Sequence, residues 1–171
     1  MNKCVFLDRD GVLNEEIGDY VYLLDKLRIP QGMPEALQQL KKAGYLLIVI
    51  TNQAGIAKGL YTDREVLLCH QKIQEACGYV LDALYYCPYH PSYDSESIAR
   101  KPDSLMLEKA IAKYAIDTSQ SWLVGDRQRD IEAAGKVQVN GIFITDTNEK
   151  CPIAMYQAKD LLEAANIILN R

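Results

Sequence analysis

A repeating alternation organises this chain: short apolar runs of strand length, most of them halting at polar residues, are separated by segments with helical spacing. The runs are Val5–Leu7 within CVFLDRDGVLN, Tyr45–Ile50 (YLLIVI), Val80–Cys87 (VLDALYYC), Ser121–Val124 (SWLV) and Gly141–Thr145 (GIFIT). Between the first two, Met33, Leu37 and Leu40 keep a helical interval that Gly44 ends. Thr62 opens a capping box with Glu65 for a helix reaching about Gly78, with Val66, Leu67, Ile73 and Cys77 on its apolar side. Leu105–Tyr114, capped by Asp103 or Ser104, Arg127–Lys136, and Asp160–Leu169, capped by Asp160 with Glu163, read as three more helices. Strands alternating with helices require a parallel sheet covered on both faces, an α/β, Rossmann-like fold. Leu27–Ile29 reads as an additional short strand, and the acidic, aromatic stretch Glu15–Lys26 as a loop or small hairpin.

Carboxylates collect where these strands end. Ligands of an open parallel sheet sit in the crevice beyond the carboxyl ends of its strands, which makes Asp8 and Asp10 site candidates. A turn through Arg9 and Gly11 lets both acids approach one centre. There they would repel by about 4 kcal/mol at 4 Å with an effective dielectric near 20, so a cation or a shared proton is expected between them. The same Asp-x-Asp-Gly run also suits an ordinary turn after a strand. Thr51, Asn52 and Gln53 follow the second run, and Asp126, with Asp130 one helical turn later, follows the fourth. Taken alone, Asp126 and Asp130 also read as a helix cap and a first-turn acid complementing the helix dipole. A long irregular segment, PYHPSYDSESIARKP, supplies Arg100 and Lys101, and loops of that length in compact domains are usually functional. Acids, a hydroxyl and cations gathered at one sheet edge offer hard oxygen ligands suited to Mg2+ working with a substrate phosphate.

A chain of 171 residues is long enough to bury a full core as one domain, 1–171. Its net charge of -4 leaves no basic patch for nucleic acid, so an anionic ligand must be held by local groups. No stretch approaches the roughly 20 apolar residues of a membrane span, and the first apolar run is too short for a signal peptide. Five scattered cysteines (Cys4, Cys69, Cys77, Cys87, Cys151) fit reduced thiols, and a cytoplasmic location is expected.

DRDGVLN at Asp8, TNQ at Thr51, the lysine of RKP and GDRQRD at Gly125 match, in order and spacing, the four signature motifs of the haloacid dehalogenase (HAD) superfamily of phosphohydrolases. Within it, DRDGVLN, TNQAGIAKG, CPYHP at Cys87 and RKPD at Arg100 resemble the histidinol-phosphate and D-glycero-D-manno-heptose-1,7-bisphosphate phosphatases, small enzymes without a large cap domain. The resemblance implies a phosphoric monoester hydrolase in which Asp8 is the nucleophile and forms an aspartyl-phosphate. Asp10 would protonate the leaving alkoxide and then deprotonate the attacking water. Mg2+ would be held by the side chains of Asp8 and Asp126 and the backbone carbonyl of Asp10. Thr51 and the amides around Arg9 would hydrogen-bond the phosphoryl oxygens, Lys101 would neutralise them, and Asp130 would stand behind, orienting Lys101 or a metal-bound water.

Many members of that family carry zinc in the long loop, through Cys-x-His near its start and Cys-x-Cys before Arg-Lys-Pro. Here Cys87 keeps the first position, but Tyr89 replaces the histidine, Ser97 and Ala99 replace the two cysteines, and His90 is out of register. A tetrahedral site needs four ligands, so structural zinc is expected to be absent, with Cys87 and His90 the one pair left that could bind a metal weakly. The loop would then be held by Tyr85, Tyr86, Tyr89 and Tyr93. Arg100, Asn52, Gln53, Lys58 and Arg127 are the candidate contacts to the rest of a small phosphorylated metabolite; for Lys58 and Arg127, solvated surface charge is an equal reading. A second phosphate would want such cations, and an imidazole-bearing amine would not. Heptose 1,7-bisphosphate, cleaved at its 7-phosphate, is therefore preferred over histidinol phosphate or another small sugar phosphate. A receiver-like signalling domain shares the clustered acids and Mg2+, but its phosphate acceptor follows the third strand, where this chain has Cys87 and no acid.

Overall fold

The computed structural model describes residues 1–171. Its elements run β1 (Cys4–Leu7), α1 (Met33–Lys42), β2 (Leu46–Asn52), α2 (Asp63–Cys77), β3 (Ala83–Cys87), α3 (Leu105–Tyr114), β4 (Trp122–Gly125), α4 (Gln128–Lys136), β5 (Asn140–Ile144), β6 (Tyr156–Ala158) and α5 (Leu161–Leu169), with one 3-10 turn at Thr118–Gln120. All strand pairs are parallel, in the order β3-β2-β1-β4-β5-β6.

Side chains alternate along each strand with the period of two that the pleat imposes. Val5, Leu7, Leu47, Val49 and Val124 enter one core, which α1, α2 and α5 close with Leu37, Leu40, Ile73, Leu161 and Ile168. Cys4, Phe6, Ile48, Ile50 and Leu123 enter the other, which α3 and α4 close with Met106, Leu107, Ile131 and Ala134. Helices thus cover both faces, as the alternation in the sequence requires, and no separate cap layer is present; the longest irregular stretches lie between β1 and α1 and between β3 and α3.

Local chemistry accounts for the boundaries. Thr62 caps α2 through Arg64 N, its amide and hydroxyl both reach Glu65, and Gly78 closes the helix in the left-handed region at φ 74. At α5, Asp160 Oδ1 accepts from Glu163 N at 2.8 Å. Ser104 precedes α3 without capping it, its hydroxyl donating to Glu108 instead.

Three expectations change. Leu27–Ile29 is not a strand: Leu27 is buried, but its amide and that of Lys26 both donate to Leu23 O, so the chain turns there rather than joining a ladder. β3 begins at Ala83 rather than Val80, because the Asp82 carboxylate takes Leu47 N (2.8 Å) and Lys41 (2.6 Å) at the point where pairing starts. A sixth strand, β6, pairs with the edge of β5. Its three residues carry the exposed Gln157 at their centre, too short and too polar an edge to stand out in the sequence.

Candidate active site

The strand order reverses at β1, with β2 and β3 building to one side and β4, β5 and β6 to the other. At such a reversal a crevice opens between the carboxyl ends of the two central strands. Asp8 directly follows β1 and Asp126 directly follows β4, and Asp8 N donates to Val124 O at 3.0 Å, carrying the pairing to the edge of the crevice. Asp8, Asp126 and Asp130 each bring a carboxylate oxygen within 4.8 Å of the others.

Lys101 enters this group from the long loop. Its ammonium lies 2.9 Å from Asp8 Oδ1 and 2.7 Å from Asp130 Oδ1, and it donates to Ile50 O at 2.8 Å, so its three donors are all engaged. Asp130 Oδ2 accepts from Arg127 N at 3.0 Å while Oδ1 is ion-paired with Lys101, so Asp130 stands behind Lys101. Asn52 holds the loop in place: its side chain donates to Lys101 O and accepts from Lys101 N, both at 3.0 Å. The Arg9 amide, expected on a phosphoryl oxygen, instead donates to Asp8 Oδ1 at 2.7 Å, the oxygen nearest to it after the turn.

Three carboxylates against the Lys101 ammonium and the half-exposed Arg127, itself shared with Glu16, leave the crevice short of positive charge. Burial first, then Asp130, and less strongly Asp126 and Asp10, push the Asp8 carboxyl up to about 7 against the pull of Lys101. Burial and Asp130 push Asp126 up to about 6 against Arg127 and Lys101. Burial alone would lower Lys101, but Asp130 and Asp8 outweigh it and hold its pKa above the ordinary value. This excess of hard carboxylate oxygen, with no nitrogen or sulfur donor in the group, fits a divalent cation of the Mg2+ type. The turn after β1 comes in close to complete the site: Gly11 has φ +83, and a Cβ there would lie 2.3 Å from Asp126 Oδ2.

The carboxylates of Asp8 and Asp10 do not share a side-chain cation. The Asp10 carboxylate accepts from Arg9 Nε (3.2 Å) and Nη2 (2.8 Å), from Asn14 Nδ2 (3.1 Å) and from Gln53 Nε2 (3.1 Å). Arg9 is 1% exposed and also donates to Val21 O. The repulsion anticipated between the two acids is avoided by giving each its own cation, Lys101 to Asp8 and Arg9 to Asp10. Thr51, at the end of β2, accepts from Gln53 Nε2 at 2.9 Å, and Gln53 Oε1 accepts from Tyr61 OH at 2.7 Å. Gln53 and Asn52, expected to touch substrate, are thus occupied within the protein. Arg9 and Tyr61, which the sequence reading left without a side-chain role, are in the network. Two charges adjacent in sequence hinted at the Arg9 pairing, whereas nothing in the local sequence pointed from Tyr61 to Gln53.

Of the remaining cations, Arg127 is half exposed, 3.1 Å from Glu16 and 3.3 Å from Asp126. Around it lies a cavity of about 540 Å³ in which the acids, among them Glu15, Glu16, Asp146 and Asp160, outnumber the cations Arg127 and Lys159. Lys58 lies over the rings of Tyr20 (5.1 Å) and Tyr93 (4.9 Å). Arg100 donates to Tyr89 O. Slight burial, with Arg100 and Lys58 close by, lowers the His90 pKa, and burial with Arg129 nearby lowers that of Arg100, so positive charge gathers on this side. Of the four tyrosines expected to hold the long loop, Tyr85 packs against the core and Tyr86 OH donates to Asp63 at 2.7 Å, whereas Tyr89 and Tyr93 are exposed; a turn in which Asp94 accepts the amides of His90 and Ser95 adds to the hold. Cys87 is a buried free thiol at the end of β3.

The HAD-hydrolase-like family model matches residues 98–164. The chain is 37% identical to the D-glycero-beta-D-manno-heptose-1,7-bisphosphate 7-phosphatase of Haemophilus influenzae, across 98% of this chain and 97% of that protein. It is 36% identical to the histidine biosynthesis bifunctional protein HisB of Legionella pneumophila, across 86% of this chain and 43% of that protein. Among solved structures, the D,D-heptose 1,7-bisphosphate phosphatase of B. bronchiseptica, complexed with magnesium and phosphate, aligns at a TM-score of 0.89 and 28% identity over 98% of both chains. Similar over nearly all of its length to such enzymes, the chain belongs to the HAD superfamily, in the family of heptose-bisphosphate and histidinol-phosphate phosphatases, and is a phosphoric monoester hydrolase.

Proposed function

We propose that this hydrolase is Mg2+-dependent, works through an aspartyl-phosphate at Asp8, and removes the 7-phosphate of D-glycero-D-manno-heptose 1,7-bisphosphate. The observation that carries the mechanism is the separation of the two acids: Asp8 faces the crevice on Lys101, while Asp10 is clamped by Arg9, Asn14 and Gln53. Two carboxylates in different surroundings take different roles. The hydrogen bond from Arg9 N and the ion pair with Lys101 both end on Asp8 Oδ1, which leaves Oδ2 to attack phosphorus. The bond from Asp8 to phosphorus forms, the bond from phosphorus to the sugar oxygen breaks, and Asp10 gives its proton to the leaving alkoxide. Water then adds to phosphorus, its proton passes to Asp10, and the acyl-phosphate bond breaks, releasing inorganic phosphate and restoring both acids. Thr51 Oγ1 accepts from Gln53, so its own proton is available to a phosphoryl oxygen. Asp8 and Asp126, with the backbone carbonyl of Asp10, would hold Mg2+, which supplies positive charge between the nucleophile and the phosphoryl group.

Two observations support the substrate. The relatives that align end to end are named for heptose 1,7-bisphosphate. Lys58 and Arg100 gather positive charge around His90, whose pKa they lower, whereas the cavity beside Arg127 is acidic. The distal phosphate is therefore assigned to Arg100 and Lys58, and Arg127 to pairing with Glu16 and Asp126. Histidinol phosphate is the second reading, favoured by the similarity to HisB.

Phosphate release in Mg2+ from both heptose 1,7-bisphosphate anomers, histidinol phosphate and several sugar monophosphates tests both readings. The bisphosphate is expected to have the highest kcat/KM, and chelation is expected to stop turnover until Mg2+ is restored. Preference for histidinol phosphate overturns the substrate, and turnover unaffected by chelator overturns the metal.

A further inference from the structure

We propose that Tyr61, acting through Gln53, is a positioning residue for the Asp10 carboxylate during its proton transfers. This rests on the assignment of Asp10 as acid and base. Gln53 Nε2 donates one proton to Asp10 Oδ2 at 3.1 Å and the other to Thr51 Oγ1 at 2.9 Å, so a single amide group sets the direction of both Asp10 and the Thr51 hydroxyl. The two ends of a glutamine amide are nearly the same size. Turned over, the same side chain would aim its carbonyl oxygen at the Asp10 carboxylate, opposing it, and would draw the Thr51 proton to itself and away from a phosphoryl oxygen. The acceptor-only Asp10 carboxylate demands the amide nitrogen, and Tyr61 holds the other end by donating its hydroxyl to Gln53 Oε1 at 2.7 Å. Burial favours the protonated phenol, which keeps Tyr61 a donor.

Tyr61 is itself fixed. Its ring stacks on Tyr22 at 5.0 Å and 19°, and it is 6% exposed. Gly55 lies against its other side, where a Cβ would come within 2.0 Å of the ring. Tyr61 and Gln53 are both buried and end on the part-exposed Asp10 carboxylate, so Tyr61 acts on the reaction through the direction of that one acid.

Leaving-group dependence separates such a role from simple loosening of the site. An alkoxide needs the proton of Asp10, whereas p-nitrophenolate departs without one. The quantity to compare is kcat/KM, which covers the steps up to the first irreversible phosphoryl transfer. Tyr61→Phe keeps the ring and removes only the hydroxyl. Its kcat/KM is expected to fall about tenfold or more for the sugar bisphosphate, a fraction of what general acid catalysis contributes, and to stay nearly unchanged for p-nitrophenyl phosphate. Gln53→Met, which removes the amide but keeps its bulk, should show the same selectivity with an added loss common to both substrates through Thr51, and it carries the test if the tyrosine variant does not fold. Asp10→Asn is measured in parallel. Selective loss in Asp10→Asn with none in Tyr61→Phe, or equal loss on both substrates in Tyr61→Phe, overturns the positioning role while leaving Asp10 its own. Equal loss on both substrates in Asp10→Asn removes the acid assignment, and the positioning role with it.

Discussion

Lys101 decides the charge balance at the residue scale. It is 2% exposed and ion-paired with Asp8 and Asp130, so Lys101→Met would strand two carboxylates in a buried crevice. Breaking a buried pair by deleting one partner costs about 3–5 kcal/mol, and denaturant unfolding in chelator at pH 8 should show a loss of that order; a loss below about 1 kcal/mol, the range of exposed pairs, would refute the geometry. Asp8→Asn should behave in the opposite way. Turnover should vanish, yet the melting temperature in chelator at pH 8 should equal or exceed that of the wild type, because the removed charge is one that burial and Asp130 disfavour. Residual phosphatase activity well above background would refute the nucleophile. Asp8, Asp10, Thr51, Lys101 and Asp126 were legible because each belongs to a short motif at the end of an apolar run or in the long loop. Their partners were not. The carboxylate of Asp10 turns toward Gln53, 43 residues away, and no local pattern encodes that distance.

At the scale of elements, the site depends on how β2 holds the long loop. Asn52 makes two hydrogen bonds to the backbone of Lys101, and Asn52→Ala would leave both backbone groups without those partners at a cost of about 1–3 kcal/mol. Hydrogen exchange should quicken through residues 97–102 while α5, on the far face, stays protected; unchanged exchange in that loop would refute the clamp. Helices were read from the sequence nearly to the residue where their ends carry their own chemistry, as with Thr62 and Glu65 at α2 or Asp160 and Glu163 at α5. Strand ends were less legible, because pairing depends on the neighbouring strand. Asp82 shortens β3 by occupying Leu47 N, and β6 exists only because the edge of β5 is there to receive it.

For the whole molecule, the crowding of carboxylates makes stability depend on pH and on metal. Asp8 is raised to about 7 and Asp126 to about 6 from the ordinary 3.8, so between about pH 4 and 7 these two groups bind more protons in the native state than in the unfolded chain. Stability then falls as pH rises through that window. In chelator the melting temperature should be lower at pH 7.5 than at pH 5, and Asp126→Asn should reduce that fall. Saturating Mg2+ should raise the melting temperature more at pH 7.5 than at pH 5. A wild type and variant with the same slope in chelator would refute this account. The sequence by itself determined the parallel α/β architecture, since strand and helix periods are local properties of apolar spacing, and it named the acids and the lysine of the site. Only the tertiary structure decided that Asp8 and Asp10 pair with different side-chain cations, that Asn52 and Gln53 are hydrogen-bonded within the protein, and that Tyr61 stands behind Gln53. Those outcomes depend on which side chains the packing of distant elements brings within hydrogen-bond range, and that is set by the whole fold at once.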